Sequence, residues 1–363
     1  MPARRRTYHL AVPLVAVLAL ALSWNRDLPM PVLAVLSLVL AAAVISAVHH
    51  AEVVAARVGE PFGSLTLAVA VTVIEVALIV TLMTVNPGET QALARDTVFA
   101  ALMITCNGIV GLALITRTLR GGEATFNAAG AVSGLSAIAA IATFSLVIPT
   151  FTESTSGPTL TTTQLAFAAI AALVIYLIYV LVQTVRHRDY FLPDEPDSVA
   201  NRSAEDDHVA PDNRTALTSL ILLILALVAV VGLAKTTSPL IEAGVANAGL
   251  PATAVAVVIA LLVLLPESIA AVRAARRNRI QTSINLAYGS AMASIGLTIP
   301  TIAVISWLFD YQLILGLGPT AIVLLAATLF TGLGTVLAGR ATVLQGGIHL
   351  ALLGGFLVLV VSP

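Results

Sequence analysis

The sequence predicts an all-α integral membrane protein: about eleven transmembrane helices, built as two inverted five-helix repeats behind an extra N-terminal helix. Three observations predict it. The composition suits lipid, apolar segments of spanning length recur along the chain, and one glutamate-bearing pattern occurs twice. Of the 363 residues, 58% are hydrophobic and only 10% charged, with a mean hydropathy of +1.00. A soluble domain carries about a quarter charged residues. A deficit this large points to lipid as the solvent rather than to a large buried core.

A spanning helix needs about 20 mostly apolar residues. Eleven segments qualify, at roughly 9–24, 30–50, 63–86, 93–116, 127–149, 160–185, 215–235, 250–272, 281–308, 314–338 and 341–361. Lipid cannot satisfy exposed backbone groups, and the segments are too long for barrel strands, so they read as helices. Arg4, Arg5 and Arg6 before the apolar run from Leu10 to Trp24 would also suit a signal peptide. The many apolar segments that follow make a first span the better reading.

Basic residues set the direction. With the N-terminus in the cytoplasm and the spans alternating, 15 basic residues fall inside: Arg4, Arg5, Arg6, Arg57, Arg117, Arg120, Arg186, Arg188, Arg202, Arg214, Arg273, Arg276, Arg277, Arg279 and Arg340. Only Arg26, Arg95 and Lys235 fall outside. That asymmetry fits an inside N-terminus and an outside C-terminus. The run from Arg273 to Arg279 reads as a cytoplasmic anchor.

Residues 186–214 break the apolar pattern and hold Asp194, Glu195, Asp197, Glu205, Asp206 and Asp207. They form a cytoplasmic linker, read first as a solvated acidic loop and second as a segment that attracts cations. The expected organisation is an extra helix (1–29), a first repeat (30–185), the linker (186–214) and a second repeat (215–363).

The repeat shows in residues. Before the third span stand Glu52, six residues, Gly59, Glu60 and Pro61, then an apolar run containing Glu75. Before the eighth stand Glu242, six residues, Gly249, Leu250 and Pro251, then an apolar run containing Glu267. The interval from proline to the second glutamate is 14 residues in one and 16 in the other. Five spans separate the two copies, and an odd offset reverses their direction across the membrane. Inverted repeats of this kind place ion sites near the midplane where the repeats meet.

A carboxylate deep in a membrane costs several kcal/mol by insertion scales (about 2.5–3.5) and marks a functional site by default. Glu75 and Glu267 are therefore the first candidates for ion binding and proton coupling, and for holding a metal cation. The plain alternative is a protonated glutamate bonded to a neighbouring helix. Two carboxylates suit a hard cation that takes oxygen ligands, and carboxylates out of water hold protons more firmly. A site that holds a cation or protons, but not both, couples their exchange.

Neutral oxygens come from nearby positions. Thr72 lies on the same helical face as Glu75. The fourth span offers Thr105 and Asn107, and the ninth offers Ser290 and Ser294, with Asn107 and Ser294 as candidate repeat partners. Such residues also serve as glue between helices. Pro266 removes a backbone donor just before Glu267. Glu52, Glu242, His49 and His50 lie nearer the segment ends, as an entry or proton path or as solvated interface residues. Gly130 and Gly134 form a close-packing G-x-x-x-G. Cys106, the one cysteine, reads as packing and excludes disulfides and cysteine-based metal centres.

Several classes are disfavoured. A net charge of -1 gives no basic face for nucleic acid. There is no H-E-x-x-H, G-x-S-x-G, P-loop or dinucleotide fingerprint. Enzyme chemistry therefore has little support, no cofactor is expected, and transport would run on gradients.

Three stretches carry a family likeness: His49 through Leu65 and on to Thr72-Val-Ile-Glu75; Asn107-Gly-Ile-Val-Gly111; and Leu265-Pro-Glu267 through Ser290 to Ile299-Pro300. The chain resembles bacterial calcium/proton antiporters of the cation/calcium exchanger superfamily. The resemblance implies a multi-pass protein of the bacterial cytoplasmic membrane whose partners are lipid, inorganic cations and protons. It implies Ca2+, or Na+ and K+, exchanged for H+ by alternating access. The family's glutamate motifs, G-N-A-V-E and G-N-A-A-E, align Glu75 and Glu267 with glutamates that bind calcium and protons in turn. Here the motifs read Val71-Thr-Val-Ile-Glu75 and Val263-Leu-Leu-Pro-Glu267. Thr72 and Leu264 replace both asparagines, and a glutamine expected near Ala293 is absent. The branch with a proline-glutamate motif is associated with sodium/proton and potassium/proton exchange as well as calcium/proton exchange. The alternatives are a monovalent cation/proton antiporter with little calcium activity, and, from another class, a membrane-embedded enzyme or channel. An enzyme should show a nucleophile or metal triad at one leaflet, and a channel would conduct without proton coupling.

Overall fold

The computed structural model describes residues 3–59, 62–85, 91–192, 211–251 and 253–362. These form eleven long helices: α1 (Ala3–Ser23), α2 (Met30–Val58), α3 (Phe62–Val85), α4 (Leu93–Thr118), α5 (Ala128–Phe151), α6 (Thr162–Arg186), α7 (Asn213–Asn247), α8 (Thr253–Arg276), α9 (Ile280–Phe309), α10 (Pro319–Leu337) and α11 (Val343–Val361). Glu60, Pro61 and the linker acids Asp194 through Asp207 lie outside the described residues. Among the described residues, nine helices are long and apolar enough to cross a membrane. In α1 and α3 the described apolar stretches are shorter, Leu10–Ser23 and Val69–Thr81.

The repeated pattern has a backbone counterpart. Gly59 ends α2 at φ +75° and Gly249 follows α7 at φ +68°. Both have positive φ, which glycine adopts without a Cβ penalty. Other helix ends use side chains. Thr161 with Gln164 opens α6, and Thr342 with Gln345 opens α11, each as a capping box. Asp212 caps α7 by accepting from the Thr215 N–H, which holds its carboxyl below the usual carboxylate range.

Two compact units emerge. The first comprises Met1–Thr90 and Val209–Val263, the second Gln91–His208 and Leu264–Pro363. Each unit thus combines one stretch from before the linker with one from after it. In the first unit, α2 packs on α7 and α3, and α1 packs on α7 and α2. Leu20 of α1 fills the space over Gly232, where an added Cβ would stand 2.4 Å from Leu20 Cδ1. The Lys235 ammonium sits 5.5 Å from the Trp24 ring centroid. Gly232→Val is expected to cost about 1–3 kcal/mol by overpacking this seam, and Lys235→Met about 0.5–1 kcal/mol through the lost cation–π contact. Thermal unfolding in detergent checks both.

In the second unit, α4 is the central helix. Its most apolar window is 89% buried, against 17% for that of α11. α9 packs on α4, α5 and α6, α10 on α5 and α11, and α11 on α4. The G-x-x-x-G does mark close approach. A Cβ on Gly134 would stand 3.4 Å from Tyr179 and Tyr288 side-chain atoms. One on Gly130 would stand 2.4 Å from the Tyr190 carbonyl, in the short 3-10 turn Arg188–Phe191 rather than in another long helix. Two short strands, β1 (Ala124–Thr125) and β2 (Arg340–Ala341), pair antiparallel.

The tenth span begins later than its hydropathy predicts. Residues 311–318 have no regular structure, and α10 starts at Pro319. Proline suits a first helical turn, and it disfavours helix at the residue before it. Leu313, Leu315 and Leu317 are nevertheless buried, so hydropathy alone counted this segment as helix. Its backbone is satisfied from outside: Ile314 N donates to Gln91 O at 3.2 Å, Gly316 N to Pro158 O at 3.0 Å and Leu317 N to Leu146 O at 2.8 Å. The Arg95 guanidinium donates to Gly316 O at 3.0 Å.

Candidate functional site

In the first unit, Glu75 is buried in α3 with 4% of its surface exposed, and Thr72, one turn earlier, has 5%. Helical threonines in a membrane usually return their hydroxyl to the i−4 carbonyl. Thr81 does so to Ala77 O at 2.6 Å and Thr237 to Leu233 O at 2.8 Å. The Thr72 hydroxyl is buried and has no hydrogen-bond partner among the described residues. A buried polar atom left so costs about 1–3 kcal/mol. A ligand at this turn would repay that cost, and Thr72→Val is the substitution that isolates it. If Thr72 serves an ion, Thr72→Val should leave unfolding unchanged or raise its midpoint while weakening cation-dependent transport. A lowered midpoint with normal transport would make Thr72 structural.

His49 Nδ1 lies 3.8 Å from Glu52 Oε2, one turn apart near the end of α2. Glu52 is exposed and His50 is buried. Glu242 is half-buried near the end of α7.

In the second unit, Glu267 is 8% exposed. It follows Pro266, which α8 accommodates without a break. Pro266 carries no N–H for the Leu262 carbonyl one turn back. Beside it the Ser268 hydroxyl donates to Leu264 O at 2.7 Å. On α9, Ser294 is buried and Ser290 half-buried, four residues apart and so on one face.

Asn107 is fully buried in a π-helical turn of α4, Ile104–Ile109. There the Val110 N–H reaches back to Thr105 O, five residues away. Such turns interrupt the regular ladder and recur at functional sites. Asn107 Nδ2 donates to Thr328 Oγ1 of α10 at 2.9 Å, and its Oδ1 lies 3.1 Å from His349 Nδ1 of α11. His349 Nε2 lies 3.1 Å from Thr335 Oγ1. Thr105 instead returns its hydroxyl to Ala101 O at 2.7 Å, and Cys106 is buried beside it.

The residues selected from sequence therefore divide between the units. Thr72 and Glu75, with Glu52, Glu242, His49 and His50, belong to the first. Asn107, Glu267, Ser290 and Ser294 belong to the second. Among the described residues, no three of His, Cys, Asp or Glu gather as a metal cluster. Sequence reasoning missed His349, Thr328 and Thr335. His349 did leave a signal, as the one ionisable residue in the eleventh span. The threonines left none.

A family model described as sodium/calcium exchanger protein matches residues 28–185 and 218–362. The chain belongs to the sodium/calcium exchanger protein family. Two relatives of this exchanger chain cover most of its length. The y4hA protein of Sinorhizobium fredii, which carries only a provisional name as an ionic transporter, is 45% identical over 89% of this chain and 87% of its own. The sodium-potassium/proton antiporter ChaA of Escherichia coli is 30% identical over 98% of this chain and 96% of its own. Among solved structures, the H+/Ca2+ exchanger CAX matches the exchanger's fold with a TM-score of 0.73 at 19% identity, over 99% of this chain and 89% of that one. This is a likeness of fold.

Proposed function

We propose that this chain is a cation/proton antiporter in which Glu75 and Glu267 bind the cation or protons in turn. The observation that carries the reading is the pair of buried glutamates, one in each copy of the repeated pattern, on apolar helices. A carboxylate held out of water must be neutralised, and either a proton or a cation can do it. Thr72, Asn107, Ser290 and Ser294 supply neutral oxygens. Glu52, Glu242, His49 and His50 form the proposed path for entering ions or protons. The cations are substrates, and the cycle needs neither covalent chemistry nor a resident cofactor.

The membrane is proposed to be the bacterial cytoplasmic one, with the N-terminus inside and the C-terminus outside. Basic-residue asymmetry supports this. So do contacts within each unit that join ends assigned to one side: Trp24 with Lys235, Arg57 Nε with Asn213 Oδ1 at 2.8 Å, Arg120 Nη1 with Arg276 O at 2.5 Å, and Arg340 Nη1 with Glu123 Oε2 at 3.4 Å.

A specific observation favours monovalent ions over calcium as the main cargo. Leu264 is buried and apolar where the exchanger resemblance puts an asparagine, and calcium takes six to eight oxygens. The 30% relative named for sodium-potassium/proton exchange points the same way. Purified protein in vesicles carrying a pH gradient tests the proposal, with sodium, potassium and calcium added in turn. Proton release is expected with sodium or potassium, and more weakly with calcium. No coupled flux with any of them, from folded protein, would overturn it.

A further inference from the structure

The buried polar group around Asn107 contains three side chains that the exchange reading leaves without a role. The route by which they meet is visible in the glycines. A Cβ on Gly111 would stand 2.9 Å from Leu350 Cδ2 and 3.0 Å from Gly346 O, and one on Gly108 would stand 3.1 Å from Leu353 Cδ2. Gly346, His349, Leu350 and Leu353 share one face of α11. That face lies against the Asn107-Gly108-Ile-Val-Gly111 stretch of α4. Only with glycines at the crossing do the helices come close enough for His349, with no surface exposed, to reach Asn107.

The hydrogen bonds then assign the ring. Asn107 Nδ2 faces Thr328 Oγ1 at 2.9 Å and the Met103 sulfur at 3.8 Å, so its Oδ1 faces the ring, and an amide oxygen can only accept. The ring N–H therefore faces the π turn, which assigns Nδ1–H as the donor to Asn107 Oδ1. Nε2 is left as the acceptor facing the Thr335 hydroxyl at 3.1 Å; that hydroxyl also donates to Thr331 O at 2.9 Å, so its one proton is shared between the two acceptors. At the other end, Asn107 Nδ2 donates to Thr328 Oγ1. The amide is thus held at both ends. Turning it round would set Oδ1 against the Met103 sulfur, which has no proton to give. An amide oxygen has two acceptor lobes; His349 takes one, and among the described residues no second donor takes the other.

We propose that His349, backed by Thr335, is a positioning residue for the transported cation: it fixes the Asn107 amide so that the open lobe of Oδ1 is presented to the ion. The inference rests on the exchange reading above. Metal-ligating groups are oriented in this way by partners behind them, and loss of such a partner typically costs 10–100-fold in affinity. Among the described residues, no charged group faces the ring. α10 carries no ionisable residue, α11 carries only His349, and α4 offers Cys106 alone beside it. Arg117 turns to Gly121 O, Arg340 to Glu123, and Arg95 to Asp96.

The test is cation-dependent proton flux by the reconstituted full chain, titrated separately with sodium, potassium and calcium. His349→Leu is expected to raise the half-saturating cation concentration about 10–100-fold, with the maximal rate much less affected. His349→Gln, which keeps an amide N–H donor, should recover most of the loss. The pH profile at saturating cation should stay in place for both, because a positioning group need not carry a proton. Thr328→Val loosens the other end of the amide and should shift half-saturation in the same direction, which keeps the test open if His349→Leu fails to fold. An unchanged half-saturation in the folded variants, a Gln variant no better than Leu, or a displaced pH profile would each overturn the proposal. Normal wild-type flux with an indifferent His349→Leu would overturn it alone. No wild-type flux would overturn the exchange reading as well.

Discussion

Glu75→Gln and Glu267→Gln are each expected to reduce cation-driven proton flux on the order of a hundredfold or more. Glutamine keeps the shape and one oxygen but loses both the charge and the proton-binding site. Removing one member of a buried charged set costs about 3–5 kcal/mol, which is that scale of loss. Stability should move the other way. Each glutamate is nearly fully buried in an apolar helix, so replacing a carboxylate that must be neutralised with a neutral amide should leave the unfolding midpoint unchanged or higher. The combination separates function from packing. A glutamate that merely bonds a neighbouring helix would tolerate glutamine within a few-fold in transport. One that binds the cargo would not.

Gly346→Val is expected to be among the most damaging neutral substitutions in the second unit. A Cβ there would stand 2.7 Å from Ile115 Cγ1 and 3.1 Å from both Gly111 O and Ile115 N. Backbone atoms cannot rotate aside as a side-chain end can, so α4 and α11 must separate. Overpacking of this kind costs about 1–3 kcal/mol. It should also carry His349 away from Asn107, so the cation concentration needed for half-maximal flux should rise together with the loss of thermal stability. Gly347→Ala is the control. Nothing lies within 4 Å of its Cβ, and alanine in a helix is favoured over glycine by about 1 kcal/mol. Equal damage at Gly346 and Gly347 would show that the close crossing has no special cost.

The parts of this fold that lipid dictates were legible in the sequence. Span length and composition follow from the bilayer, and the helices at α5, α9 and α11 fall close to the expected segments. The repeated glycines, Gly59 and Gly249, were found by pattern and proved to share a positive φ. Residues 314–318 were misread as helix because a buried extended stretch is as apolar as a helix, and its hydrogen bonds go to residues far along the chain. The Asn107–His349 bond joins positions 242 residues apart. Periodicity reads only local neighbours, so Asn107 was selected for its place in α4 while its partners were not. The π turn that carries it has no pattern of its own in Ile104-Thr-Cys-Asn-Gly-Ile109. Nor does hydropathy indicate that packing groups α2 with α7 across the repeat.

In the proposed mechanism, cation and proton compete for the same carboxylates. The most direct measurement is the half-saturating cation concentration of proteoliposome flux at a series of pH values, with the cation that drives flux best. Competition predicts that half-saturation rises steadily as pH falls while the rate at saturating cation holds. A half-saturation indifferent to pH, with only the maximal rate changing, would mean that protons act elsewhere and would contradict the shared-site mechanism.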